Sequence, residues 1–160
     1  MSSYATHNST KTFRAVGKQG LWAIRQLMHE LRGQQVSFWL PTFSADFTAA
    51  ADITSNTRTM TVAEVGYAEY VQGRPSRGMI RIQTEGGTTY YNQIVGSVDN
   101  GNGTETLHFA DMWSSSVSRS TITRIDYMEK VRFDADDITI DYLPGGLVHH
   151  ISGPVRTVLE

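Results

Sequence analysis

The feature that most constrains this chain is a change of hydrophobic period at Gly33. Beyond it, apolar side chains recur at every second residue in short segments, the spacing of strands whose side chains alternate between two faces. VSFWL (36–40) ends at Pro41, and TRTMTVAEV (57–65) sets Met60 and Val62 on one face. MIRIQT (79–84), TYYNQIVGSV (89–98), TLHF (106–109) and TITRIDYMEKVRF (121–133) follow, then DITIDYL (137–143) and LVHHISGPVRTVL (147–159). The connections are turn formers: Glu85-Gly86-Gly87-Thr88, Asp99-Asn100-Gly101-Asn102-Gly103 and Pro144-Gly145-Gly146. Strands at hairpin spacing, with no βαβ unit, predict a mainly β fold: an antiparallel β-sandwich or barrel.

The N-terminal side differs. Leu21, Ile24, Leu27, Met28 and Leu31 recur at three- and four-residue spacing, with Trp22 beside them and Arg25, Gln26, His29 and Glu30 opposite. That pattern predicts one amphipathic helix over about 18–32, stopped by Gly33 in the left-handed region. Residues 1–16, rich in Ser, Thr, Asn and His, read as an extended N-terminal arm with anchor points at Tyr4, Phe13 and Val16. Residues 17–160 read as a single β-rich domain. A chain of 160 residues, 39% hydrophobic and 19% charged, has the material for its own core. It contains no cysteine, hence no disulfide, zinc-thiolate site or thiol nucleophile. Its apolar runs are a few residues long, so no membrane insertion is expected, and MSSYATHNST does not have the form of a signal peptide.

The formal net charge is −2, but the charge is divided. Residues 1–32 carry five basic residues (Lys11, Arg14, Lys18, Arg25, Arg32) and one acid, Glu30, a net of +4; the remainder is net −6. Opposite charge on two parts of one chain suits docking between copies. The alternative is a basic N-terminus that is merely solvated.

No constellation supports chemistry. Asp99 to Glu105 superficially resembles a calcium loop, yet the third position of an EF-hand frame would be Gly101 and the sixth Thr104, so a hairpin turn is the better account. Asp134, Asp136 and Asp137 form the densest acidic cluster. They precede a strand in which Ile138 and Ile140 face one way and Asp137, Thr139 and Asp141 the other, which favours a solvated face or a contact to a basic partner. His149 and His150 are adjacent and point to opposite faces of a strand, and His7, His29 and His108 are scattered, so no metal-ligand spacing exists. Ser114-Ser115-Ser116 lacks the glycines of a nucleophile elbow. The glycine-containing stretches match no phosphate or dinucleotide loop. The aromatics of GTTYYNQIVG are not interleaved with basic residues, which argues against nucleic acid. The chain is expected not to be an enzyme and to need no cofactor or metal.

The segment RQLMHELRGQQVSFWLPTFSADF (25–47) resembles one in tail-tip and baseplate proteins of tailed bacteriophages, particularly the distal-tail group. In it a short helix ends in Leu-Arg-Gly, a strand carries Phe38-Trp39-Leu40-Pro41, and Phe43 and Asp46 follow. The last strands, VRFDADDITIDYLPGGLVHHISGPVRTV (131–158), are similar to the closing strands of such proteins. Members of that group are usually larger, with an additional domain.

The resemblance implies a structural virion protein: an oligomeric ring at the tail tip or baseplate, linking the tail tube to the host-recognition apparatus and assembled in the host cytoplasm. Its implied partners are other copies of itself and other tail proteins. The expected assembly residues are Tyr4, Phe13, Arg14 and Lys18 in or beside the arm, with Arg25 and Arg32 facing an acidic patch at Asp134, Asp136 and Asp137. A carbohydrate-binding β-sandwich is the alternative, and it predicts exposed rings among Trp39, Tyr90, Tyr91 and Trp113. A small hydrolase using Asp134 and Asp137 is the third possibility.

Overall fold

The computed structural model describes residues 8–136, 138–142 and 148–158. It is mainly antiparallel β with one N-terminal helix, and the sheet does not close, which removes the barrel alternative. The strands are β1 (Asn8–Val16), β2 (Phe38–Pro41), β3 (Thr59–Ala63), β4 (Met79–Thr84), β5 (Thr89–Asp99), β6 (Thr104–Phe109), β7 (Ile122–Phe133), β8 (Thr139–Tyr142) and β9 (Val148–Thr157). The helix α1 spans Gly17–Leu31. The chain forms two compact units: residues 1–39 with 130–160, and Leu40–Glu129.

In the larger unit the strand order is β7-β4-β5-β6-β3, each pair antiparallel. The period-two residues supply one face of the core: Met60 and Val62 from β3, Ile80 and Ile82 from β4, Ile94 from β5, and Leu107 and Phe109 from β6. The opposite wall comes from irregular segments, with Phe47, Ile53, Tyr67, Trp113 and Val117 all buried. These segments are tied down by backbone hydrogen bonds. Ile53 and Val117 exchange N–H···O bonds of 2.9 Å in both directions, and the Trp113 N–H reaches the Thr57 carbonyl at 2.9 Å. Burial of each large apolar side chain stabilises by about 1.5–3 kcal/mol, so the strand pattern alone accounts for much of the core.

In the smaller unit β9 is central. It pairs with β1 over the full register from Asn8↔Arg156 to Val16↔Val148, and on its other side with β8 and the end of β7. The expected arm is therefore, from Asn8 onward, a strand of its own sheet. Among the described residues no strand pairs with the other edge of β1. Phe133 fills this unit, 6.5 Å from Phe13 and 5.3 Å from Phe38, ring centroid to centroid. Gly153 makes room for it, because a Cβ there would lie 3.0 Å from the Phe133 ring.

Helix α1 forms where its spacing predicts and packs on β1 and β9. Its cap differs from expectation: Arg32 takes the left-handed conformation (φ 49°), donating its N–H to Met28 at 3.2 Å, and Gly33 continues in it (φ 61°). The packing is also thinner than the pattern implies. Only Leu31 is buried; Leu21, Ile24 and Met28 are half-covered, and Leu27 and Trp22 are exposed.

Candidate functional site

Two surfaces and two buried ionic centres stand out. The first surface lies on the smaller unit. Alternate residues of β1 point outward, placing Arg14 and Val16 on the exposed side, and the chain turns there into α1. Lys18 and Trp22 follow one turn apart on the helix, both exposed, with the Trp22 ring 69% accessible. Farther along, α1 and β8 border a groove of about 790 Å³ lined by Trp22, Arg25, Met28, His29, Ile138 and Ile140. Arg25 crosses it to hydrogen-bond the Tyr142 hydroxyl, its guanidinium 5.9 Å from that ring's centroid.

The second surface is an exposed elbow of the larger unit. Its core is a π-helical turn, Tyr67–Val71, entered through Gly66 at φ 74°. Glu64, Val65, Glu69 and Tyr70 are exposed around it. The Tyr70 ring lies against Gly66, where a Cβ would come within 2.8 Å of the ring. The hydrogen bond between Tyr70 and Glu69 raises the phenol's pKa, with a smaller push from burial.

Beneath this elbow sits the first ionic centre. Glu105 on β6 is fully buried. Its Oε1 accepts the N–H groups of Val65 (2.9 Å), Gly66 (2.5 Å) and Tyr67 (3.0 Å), and Oε2 accepts that of Ala68 (3.1 Å). These N–H groups open a helical turn and have no partner of their own in it, so a carboxylate satisfies them all at once. The residue belongs to the Asp99–Glu105 segment, which is a hairpin turn with Gly101 at φ 69° and Gly103 at φ 78°.

The second centre is Asp126 on β7, also fully buried. It accepts a 2.5 Å bond from Arg81 Nη2 and a 3.0 Å bond from the Ala45 N–H. Phe43, at φ 58°, lays its ring 5.0 Å from the Arg81 guanidinium. Asp46 accepts from the Tyr127 N–H at 2.9 Å and from the Thr42 hydroxyl. The loop 42–47 is thus fastened to β7 by two carboxylates. Behind it Phe47, Tyr67 and Tyr127 pack ring on ring, with centroids 4.9–6.2 Å apart. Burial pushes the Tyr67 phenol above its ordinary pKa. It pushes Tyr127 much further, aided by Tyr67 and the Asp46 carboxylate.

The residues expected from the sequence to mediate assembly are distributed as follows. Tyr4 and Asp137 lie outside the described residues. Phe13 packs inward against Phe133, while Arg14 and Lys18 are exposed near one another in sequence at the β1–α1 junction. Arg32 is exposed at the helix cap. Asp134 pairs with Arg156 of the same chain at 3.2 Å, and Asp136 accepts the Gln34 N–H at 3.2 Å, closing the turn after α1. With Arg25 held by Tyr142, these three charged groups have partners within their own unit. Thr139 and Asp141 face solvent, Ile138 and Ile140 are half-buried, and His149 is buried while its neighbour His150 is not. Of the four rings expected on a sugar-binding face, Trp113 is buried, Tyr90 is half-buried, and Trp39 and Tyr91 are exposed. Among the described residues no group of three or more His, Asp or Glu is placed to hold a metal ion.

The Glu105 nest was not legible because its four donors lie 37–40 residues earlier in the chain. A lone Glu in an otherwise period-two strand, at a position where the pattern calls for an inward apolar residue, is the one available signal. Comparison of the chain with protein-family models and with curated proteins finds no match.

Proposed function

We propose that this chain is a structural component of a bacteriophage tail, forming an oligomeric ring at the tail tip or baseplate that links the tail tube to the host-recognition apparatus. The observation that carries this reading is the β1–α1 corner. A nine-residue strand whose outer edge pairs with no strand among the described residues runs into a helix that leaves Trp22, Leu27 and the preceding Val16 exposed. Long unpaired strand edges and exposed large apolar side chains are ordinary in a subunit that is covered on assembly. The likeness of 25–47 and 131–158 to tail-tip segments supplies the particle. Ring closure in that setting uses a heterologous contact, one surface of each copy meeting a different surface of the next.

Native mass spectrometry of the purified chain, alone and with co-expressed tail proteins, tests the reading, together with peptide detection in purified virions. A closed oligomer and its presence in tails are expected. A strictly monomeric protein absent from virions overturns it.

A carbohydrate-binding role is the second reading. It is favoured by Tyr91, exposed on β5 directly across from Arg81, whose guanidinium Phe43 covers. Aromatic faces of this kind stack on sugar rings. Glycan-array binding that is lost in Tyr91→Ala would support it, and absence of binding at millimolar sugar would end it.

A further inference from the structure

The charge division in the sequence has a counterpart in three dimensions that involves different acids from those the sequence singles out. Asp134 and Asp136 are engaged by Arg156 and the Gln34 N–H within their own unit. Glu64 and Glu69 on the elbow are exposed acids, Glu69 being bonded by its neighbour Tyr70 on the same surface. Residues 59–73 contain these two acids and no Lys, Arg or His; residues 8–29 contain Lys11, Arg14, Lys18 and Arg25 and no acid.

The two surfaces match in kind. One offers Arg14, Val16, Lys18 and Trp22; the other offers Glu64, Val65, Glu69 and Tyr70. Each is an exposed valine and an exposed aromatic ring flanked by two charges of one sign, and the signs are opposite. Two like-charged surfaces repel their own kind, so each is directed away from a copy of itself and toward the other. Val16, Trp22, Val65 and Tyr70 are 64, 69, 49 and 64% accessible, an apolar content that gains from being covered.

We infer that the β1–α1 corner of one copy docks on the Glu64–Tyr70 elbow of a second copy, head to tail, with Trp22 and Tyr70 as the apolar anchors and the four charges setting register. This rests on the ring reading above and names its contact. The elbow is suited to the task because it is pre-formed. The Glu105 carboxylate fixes the backbone from Val65 to Ala68, so little ordering remains to be done on binding. Isologous contact is disfavoured by the like charges, and a heterologous contact is the kind that closes rings.

The test uses the full chain and sedimentation velocity over a wide concentration range, with far-UV circular dichroism and melting temperature as controls for folding. Arg14→Glu/Lys18→Glu reverses one surface and Glu64→Lys/Glu69→Lys the other. All four sites are exposed, and Lys18→Glu puts an acid into a helical first turn that has none, so the fold is expected to persist. Each double variant alone should associate at least about 100-fold more weakly than the wild type. Mixing the two, or combining all four changes in one chain, should restore association, because each reversed surface then has a complementary partner. Wild-type association that falls steeply with salt is also expected.

Folded double variants that associate like the wild type would place the contact elsewhere and overturn this inference while leaving the ring reading intact. Loss on one side only would give the affected surface a different occupant and overturns it equally, as would failure of the mixture to recover. A wild-type chain that does not self-associate at any concentration removes this contact, and the ring reading falls with it when the chain is also absent from virions.

Discussion

Glu105 Oε1 lies 2.5 Å from the backbone nitrogen of Gly66, the shortest of four N–H···O bonds that converge on one fully buried carboxylate. The elbow is therefore a backbone nest wrapped around an internal anion, and its stability depends on that one side chain. Glu105→Ala leaves four N–H groups without an acceptor. At about 1–3 kcal/mol for each unsatisfied buried group, partly relieved by entering water, a loss of at least about 4 kcal/mol is expected in urea denaturation. Glu105→Gln keeps one acceptor oxygen and turns the other into a donor facing N–H groups, so an intermediate loss is expected. An alanine variant within about 1 kcal/mol of the wild type would show that the nest contributes little.

Gly66 and Gly33 are constrained in two ways each. Both have positive φ, and a Cβ on Gly66 would strike the Tyr70 ring while one on Gly33 would strike the Asp136 carboxylate. Gly73 and Gly87 share the positive φ but have open space around them. Gly73→Ala and Gly87→Ala should therefore cost about 1–2 kcal/mol from conformation alone. Gly66→Ala and Gly33→Ala should cost clearly more, read as a larger drop in melting temperature. Equal losses at all four sites would mean that the neighbours give way freely.

The contrast between these glycines and the strands shows where the sequence is informative. Strand spans from β3 to β9 follow largely from period two, because most inward positions are apolar; β7 departs from it, with Ile125, Asp126, Tyr127 and Met128 buried in succession. Helix α1 is likewise legible as a helix, but how well it is covered is not. Leu27 and Trp22 carry the same hydrophobic signal whether a partner element covers them or water does. β1 reads only as an arm, since Thr10, Thr12 and Arg14 face outward and its sheet partner is β9, more than a hundred residues away. The acceptor roles of Asp126 and Glu105 are not legible for the same reason: they are completed by Arg81, Ala45 and the elbow, none of them neighbours in sequence.

The Arg81–Asp126 pair is buried, with the Asp side chain wholly inaccessible. Asp126→Asn leaves the guanidinium without its counter-charge, and Arg81→Met leaves the carboxylate with only the Ala45 N–H and Arg124, whose Nε is 3.9 Å away. Either change should cost about 3–5 kcal/mol, whereas the double change to Asn and Met should cost less than the sum of the two. Strict additivity in this double-mutant cycle would mean that the two groups do not act as a pair.

Alkaline pH should unfold the protein through its aromatic cluster. The Tyr127 and Tyr67 phenols are held above their ordinary value of 10.0, chiefly by burial, so the folded state keeps protons that the unfolded chain releases. Their contribution to stability is complete below about pH 10 and declines as pH rises above it, by at most about 1.4 kcal/mol per pH unit for each group. Urea midpoints measured between pH 8 and 12 should be level at first and then fall. Tyr127→Phe should flatten the decline more than Tyr67→Phe, because Tyr127 is shifted further. A midpoint independent of pH up to 12 would contradict the placement of both rings.

Trp22 offers an optical reading of the β1–α1 corner. Of the three tryptophans, Trp22 and Trp39 are exposed and Trp113 is buried against Phe109, donating its indole N–H to the Thr59 carbonyl at 3.2 Å. In a Trp39→Phe, Trp113→Phe background the emission reports Trp22 alone. At concentrations where the chain is monomeric, iodide should quench it nearly as well as free indole, because the ring stands in water with basic Lys18 one helical turn away. On self-association the emission should shift to the blue and quenching should fall several-fold, as expected of a ring transferred to an apolar contact. The Glu64→Lys/Glu69→Lys chain, which keeps the corner but loses its complement, should show open quenching at all concentrations. Quenching that stays high while wild-type oligomers form would mean that Trp22 remains outside whatever surface the copies share.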